Sequence, residues 1–128
     1  MKDEGTIAIL VATYVSIILL TVLGFASVGI AILASHRIQG VADFAVLYGH
    51  DRSARAGIPE QSLLDSHVRN FLALSESADR IDLVQVKNWI TGETSNTRIC
   101  ARYKDLFGFE MDSMIICREA SAKSFLVF

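Results

Sequence analysis

The chain reads as an α+β protein: a long N-terminal transmembrane helix continues into a stalk and is followed by a small head of helix and antiparallel sheet. Three observations predict this class. Ile7 to Ala34 is a run of 28 residues without a charged side chain. Apolar residues keep helical spacing beyond it, at Ile38, Val41, Ala45 and Tyr48. The later part of the chain carries short runs rich in β-branched and aromatic residues between turn-forming clusters.

The apolar run comes first. At about 1.5 Å of rise per residue it makes a helix roughly 42 Å long, enough to cross a hydrocarbon core about 30 Å thick even when tilted. A secretory signal has a shorter apolar region, about 7 to 15 residues, behind a positive leader. Here Met1-Lys2-Asp3-Glu4-Gly5 sets one Lys against two acids, and Ala31 to Ser35 offers no convincing cleavage site. An uncleaved anchor is therefore expected. Inside it Gly24, Ser27, Ala31 and Ser35 recur at spacings of three, four and four, a stripe of small residues along which another helix can approach closely. Such residues are also common in membrane helices generally, so the spacing leaves both readings open.

Past Ala34 the helix becomes amphipathic, with His36, Gln39 and Asp43 largely off the apolar stripe, and Gly49 is expected to end it after Leu47 or Tyr48. The expected organisation is a leader at 1–5, a transmembrane and stalk helix at 6–48, a loop at 49–59 and a head at 60–128. Pro59 suits the first turn of a helix that carries Leu64, Val68, Phe71 and Leu72 on one face up to about Ser75. Arg80 to Ile90 is strand-like. Its apolar phase shifts from Ile81 and Leu83 to Val84 and Val86, which calls for a bulge or burial on both sides. TGETSN makes a turn, and Thr94, Ser95 or Asn96 caps a last helix with Ile99, Tyr103, Leu106 and Phe107 on one side and Gly108 at its end. Met111 to Glu119 and Ser124 to Phe128 then form a hairpin around ASAK, with Phe125 to Phe128 read as a buried strand.

Composition narrows function. The chain is 52% hydrophobic and 20% charged, most of the apolar excess lies in the first third, and the net charge is −2 with no basic face. Nucleic acid is thereby excluded as a partner. The 94 residues after Ala34 suffice for one small domain. Cys100 and Cys117 read most easily as an exported disulfide, reduced core thiols being the rival reading, since neither a CxxC nor a suitable His spacing suggests a metal. That pair argues for a head outside the cell membrane. Arg37, Arg52 and Arg55 after the span, against Lys2 before it, argue for the opposite orientation; the outward one is favoured because whole domains translocate despite a few charges. His36, His50 and His67 lack metal-ligand spacing. His50 with Asp51 is at most half of a catalytic pair, Asp79 and Asp82 read as solvated surface, and no phosphate-binding glycine loop is present. No catalytic residue, metal or cofactor is expected, and an enzyme is not the reading.

The strings Asp3-Glu4-Gly5-Thr6, His36-Arg37-x-Gln39-x-x-Ala42-Asp43-x-Ala45, and Cys100-Ala101-Arg102 with Cys117-Arg118 resemble the TadE-like minor pilins, in particular the actinobacterial TadE-like proteins of tight-adherence (Flp-type) pilus systems. The resemblance covers nearly the whole chain except 50 to 95. It implies a type IV pilin-like subunit held in the inner membrane by its N-terminal helix, partnered by other pilin-like subunits and pilus assembly machinery. It also implies cleavage by a prepilin peptidase between Gly5 and Thr6. Pilins of this kind carry Glu at the fifth mature position, where counting from Thr6 reaches Leu10. Leu is at ease in lipid where a carboxylate needs a partner, so the departure favours a minor or accessory subunit over a major pilin. The alternative function is a membrane-anchored exported binding module that does not polymerise.

Overall fold

Helix α1, Glu4–Ser53, is 50 residues of unbroken helix and opens the computed structural model, which describes residues 4–55, 58–79, 81–102 and 114–124. The chain divides into two compact units, 1–33 and 34–128, and α1 contributes to both. Among the described residues, α1 is long and apolar enough to cross a membrane. In the first unit its surface is open: Ile17, Ile18, Leu19 and Leu20 are all exposed, and four successive helical positions face all ways round the axis.

The second unit is a helix layer on one face of a sheet. Strands β3 (Asp82–Thr91), β4 (Thr94–Arg102) and β5 (Ile115–Lys123) form a three-stranded antiparallel sheet in the order β3-β4-β5. On β4, Ser95, Thr97, Ile99 and Ala101 point inward and are fully buried. Against them pack Ile38, Val41, Ala42, Ala45 and Val46 of α1, and Leu64, Val68 and Leu72 of α2 (Gln61–Leu74). Each fully buried Leu, Ile or Val contributes about 1.5–3 kcal/mol relative to exposure. Six of the core positions are alanine (Ala42, Ala45, Ala78, Ala101, Ala120 and Ala122), and the five on α1, β4 and β5 leave little between helix and sheet and let α1 lie close on the strands.

The expected bulge is present. Leu83 pairs with Ala101 but Gln85 with Cys100, so Val84 is the extra residue, and the inward phase moves from Leu83 to Val86. Gly92, at φ 61°, is the first residue of the two-residue β3–β4 turn, a backbone region glycine enters without a Cβ penalty.

Four expectations are corrected. Helix α1 does not stop before Gly49 but continues through His50, Asp51 and Arg52 to Ser53, none of which breaks a helix. Gly49 is a packing position: a Cβ there would lie 2.6 Å from Val68 Cγ2 and 2.9 Å from Leu64 Cδ1. The expected loop at 49–59 holds a short antiparallel pair, β1 (Ala54–Arg55) with β2 (Ile58–Pro59), so Pro59 precedes α2 rather than opening it. The stretch read as the last helix begins as β4; its Tyr103, Leu106, Phe107 and Gly108 lie outside the described residues. ASAK is no hairpin turn, because Ala120 to Lys123 run straight on in β5 with Ala120 and Ala122 inward, while Met111 to Ser113 and Phe125 to Phe128 lie outside the described residues. A one-turn helix, α3 (Glu76–Asp79), links α2 to β3.

Candidate functional site

Because a bare hydroxyl in lipid is costly, the polar residues of the apolar run are informative. Thr13, Ser16, Thr21 and Ser27 donate to the carbonyls of Ile9, Ala12, Ile17 and Leu23 at 2.8, 2.8, 2.8 and 3.0 Å. Each of these four hydroxyls is satisfied within its own helix.

The small-residue stripe divides. Gly24 is exposed, and a Cβ there would meet nothing within 4 Å. Ser27 and Ala31 are half-buried. Ser35 differs: its Oγ accepts from both Nε and Nη2 of Arg118, so the last position of the stripe is engaged by β5 of its own chain. Gly5 and Thr6, the residues flanking the expected cleavage, are both exposed in the first turns of α1.

In the second unit Cys100 and Cys117 stand directly opposite one another on β4 and β5 and form a disulfide, S–S 2.07 Å. The bond ties two strands rather than the helix and strand expected from sequence. It lies on the outer face of the sheet, where Arg98 pairs with Glu119 and its guanidinium sits 6.0 Å from the Trp89 ring centroid. Both members of that ion pair are about half exposed, and such pairs contribute between nothing and about 1 kcal/mol.

The polar cluster that sequence reasoning passed over is at His50, which is only 4% exposed. Its Nδ1 lies 2.7 Å from Ser95 Oγ and its Nε2 2.9 Å from Ser124 Oγ. A neutral imidazole donates at one nitrogen and accepts at the other, and a serine hydroxyl serves either role. Burial pushes the His50 pKa below its ordinary value and the Asp51 carboxylate pulls it part of the way back. His50 therefore joins α1 to β4 and to the residue after β5. Its partners are 45 and 74 positions away in sequence, so no local pattern could reveal them. The other contacts of β5 with α1 were equally hidden: Arg118 with Ser35, and the Gln39 amide donating to the Glu119 carbonyl at 3.0 Å. Tyr48 stacks on Phe71 of α2 at 5.4 Å and meets His67 edge-on at 6.4 Å, with Arg52 over its ring at 4.4 Å. His36 is exposed, and among the described residues no three His, Cys, Asp or Glu side chains come together as metal ligands.

Comparison with protein-family models, with curated proteins and with solved structures finds no match. The described residues carry a set of surfaces and fastenings. It comprises an apolar helix surface, a disulfide, and polar clasps that hold β5 against α1.

Proposed function

We propose that the chain is a pilin-like minor or accessory structural subunit of a tight-adherence (Flp-type) pilus or a related secretion assembly, acting by helix–helix packing. One observation carries the reading. Large apolar side chains stand exposed on all sides of α1 from Ile7 to Leu33, Phe25 at 74%, and lipid or other helices are what cover a surface of that size and character. The resemblance of the leader, post-membrane and cysteine strings to TadE-like pilins gives that surface its role. The disulfide supports an extracytoplasmic second unit, since such bonds persist in oxidising compartments. In this reading the protein is a single-pass inner-membrane subunit that works by assembly and not as an enzyme, and its leader is removed between Gly5 and Thr6.

The test is Gly24→Leu with Ala31→Leu in the native host. A Cβ at Gly24 has open space, so that bulk falls on an approaching helix rather than on the chain's own fold. Recovery of cross-linked complexes or pili should fall while membrane insertion is unchanged. Undiminished recovery would remove the stripe as the packing surface, and an inserted protein that is monomeric in the wild type as well would favour the anchored binding module. Intact mass of membrane-extracted protein, with and without the prepilin peptidase, decides whether the mature chain begins at Thr6.

A further inference from the structure

Both ring nitrogens of the buried His50 are engaged, Nδ1 by Ser95 Oγ on β4 at 2.7 Å and Nε2 by Ser124 Oγ just past β5 at 2.9 Å. A neutral imidazole has one N–H, so two arrangements are open: Nδ1 donates to Ser95 while Nε2 accepts from Ser124, or the reverse. The two serines are not equivalent. Ser95 is fully buried, and among the described residues its hydroxyl has His50 as its one hydrogen-bond partner. A buried O–H left without an acceptor carries its whole desolvation penalty. Ser95 therefore donates to Nδ1, which leaves the ring proton on Nε2 and makes Ser124 the acceptor. Ser124 is half-buried, so water can take its hydroxyl proton.

This arrangement has no place for a second ring proton. Imidazolium donates at both nitrogens. Ser124 already accepts and is undisturbed, whereas Ser95 would have to turn a lone pair to Nδ1 and lose the acceptor of its own hydrogen. The charged groups around the cluster do not prepare it for a cation. On α1, the Asp51 carboxylate favours the charged ring but is outweighed by burial, and Arg52 lies over the Tyr48 ring. At the nearby end of the sheet, Lys123 of β5 pairs with Glu93 of the β3–β4 turn at 3.7 Å. At the start of α2, Asp65 accepts from Gln61 and Glu60 from Ser62.

We propose that His50 and Ser95 form a proton-sensitive latch between α1 and β4: the Ser95 hydroxyl holds the ring as its Nε2–H tautomer, and proton uptake at Nδ1 opens the His50–Ser95 link while the link to Ser124 stays closed. Ser95 is the positioning residue of this latch. The latch lies wholly within residues 34–128 and is independent of what covers the apolar run. It makes the seat of α1 on the middle strand the part of this unit that acid loosens first.

The test is nuclear magnetic resonance on the full chain in detergent micelles, disulfide intact and histidines labelled with ¹⁵N. His50→Gln identifies the His50 signals among those of His36 and His67 by their loss. At neutral pH, long-range correlations from the ring protons should show Nε2 protonated and Nδ1 bare. Ser124→Ala should keep that tautomer, and Ser95→Ala should raise the Nδ1–H population several-fold. As pH falls through the His50 titration, amides next to Ser95 should lose hydrogen-exchange protection several-fold more than those near Ile99, after correction for the intrinsic pH dependence of exchange; in His50→Gln they should not. An Nδ1–H tautomer in the wild type overturns the proposal, because Ser95 would then already accept and protonation would cost it nothing. A tautomer that switches in Ser124→Ala overturns it too, and that variant decides the matter where Ser95→Ala fails to fold. Protection at Ser95 that survives titration of His50 refutes the latch even if the tautomer is as expected.

Discussion

Gly49 and Gly40 form a matched pair within one helix, and replacing each by alanine separates packing from propensity. Alanine in a helix interior is favoured over glycine by about 0.8–1.0 kcal/mol, a gain both variants share. At Gly40 the new Cβ meets nothing within 4 Å, so Gly40→Ala should stabilise by up to about 1 kcal/mol. At Gly49 it would sit 2.6 Å from Val68 Cγ2 and 2.9 Å from Leu64 Cδ1. Both residues are fully buried, so neither methyl has space into which to retreat, and α1 and α2 must part. Overpacking of that kind costs about 1–3 kcal/mol. Propensity offsets part of it, leaving Gly49→Ala neutral to about 2 kcal/mol less stable than the wild type, and about 1–3 kcal/mol less stable than Gly40→Ala. The assay is urea or thermal unfolding of the full chain in detergent, followed by the fluorescence of Trp89, the single tryptophan, which sits in β3. For a domain of this size 1 kcal/mol moves the midpoint by about 4–8 °C. Equal midpoints for the two variants would refute the close α1–α2 contact.

Two further outcomes follow from the fastenings of the sheet. Reducing the Cys100–Cys117 bond, whose partners are 17 residues apart, should lower unfolding free energy by about 3 kcal/mol in the chain-entropy account. Comparison of unfolding curves with and without reductant, and of Cys100→Ser with Cys117→Ser, checks it. His50 predicts a pH dependence of definite sign. Its folded pKa is depressed, so the unfolded chain takes up the proton first as pH falls; stability should be level above the ordinary histidine pKa and decline as pH drops below it toward the folded value. Unfolding measured between neutral pH and about pH 5 should show this slope in the wild type and a shallower one in His50→Gln, with the window set by the ordinary pKa of about 6.5.

The parts legible in the sequence are those where one physical signal acts alone. Ile7 to Ala34 has only apolar content to report, and Ile38, Val41 and Ala45 repeat at helical spacing because one side of α1 meets the sheet and the other does not. The bulge at Val84 showed as a phase slip because its neighbours are large and apolar. Strand β4, and β5 from Ala120 onward, depart from the expectation for the converse reason. Of their inward residues Ser95, Thr97, Ala101, Ala120 and Ala122 are small or hydroxylated, with α1 close by, so the alternation carries little hydrophobic contrast. Ile99, Tyr103, Leu106 and Phe107 then supplied a helical spacing by coincidence. At Gly49, glycine marks close approach instead of a helix end, a distinction that depends on Val68 and Leu64 across the interface. The clasps at His50 and Arg118 join residues 45 to 83 positions apart, beyond any local pattern.

The same close approach moves the boundary of the folding unit. The sequence suggests a head at 60–128 hung from a stalk, yet the compact unit begins at Ala34. A fragment of residues 50–128 would lack Ile38, Val41, Ala42, Ala45 and Val46, and with them the apolar layer that covers Ile99 and Ala101. Ile38, Val41 and Val46 alone represent about 4–9 kcal/mol of burial at about 1.5–3 kcal/mol each. That is comparable with the whole stability of a domain, about 5–15 kcal/mol. The fragment should therefore give poorly dispersed amide resonances and no cooperative melt, whereas residues 34–128 should fold with the disulfide formed. Cooperative unfolding of 50–128 would show that the sheet and α2 suffice alone. Failure of both fragments would show that the apolar run is needed for folding. If only the longer one folds, α1 has two duties that cannot be cut apart at Gly49. Its first half is an exposed apolar surface, and its second half is committed to the core of the head.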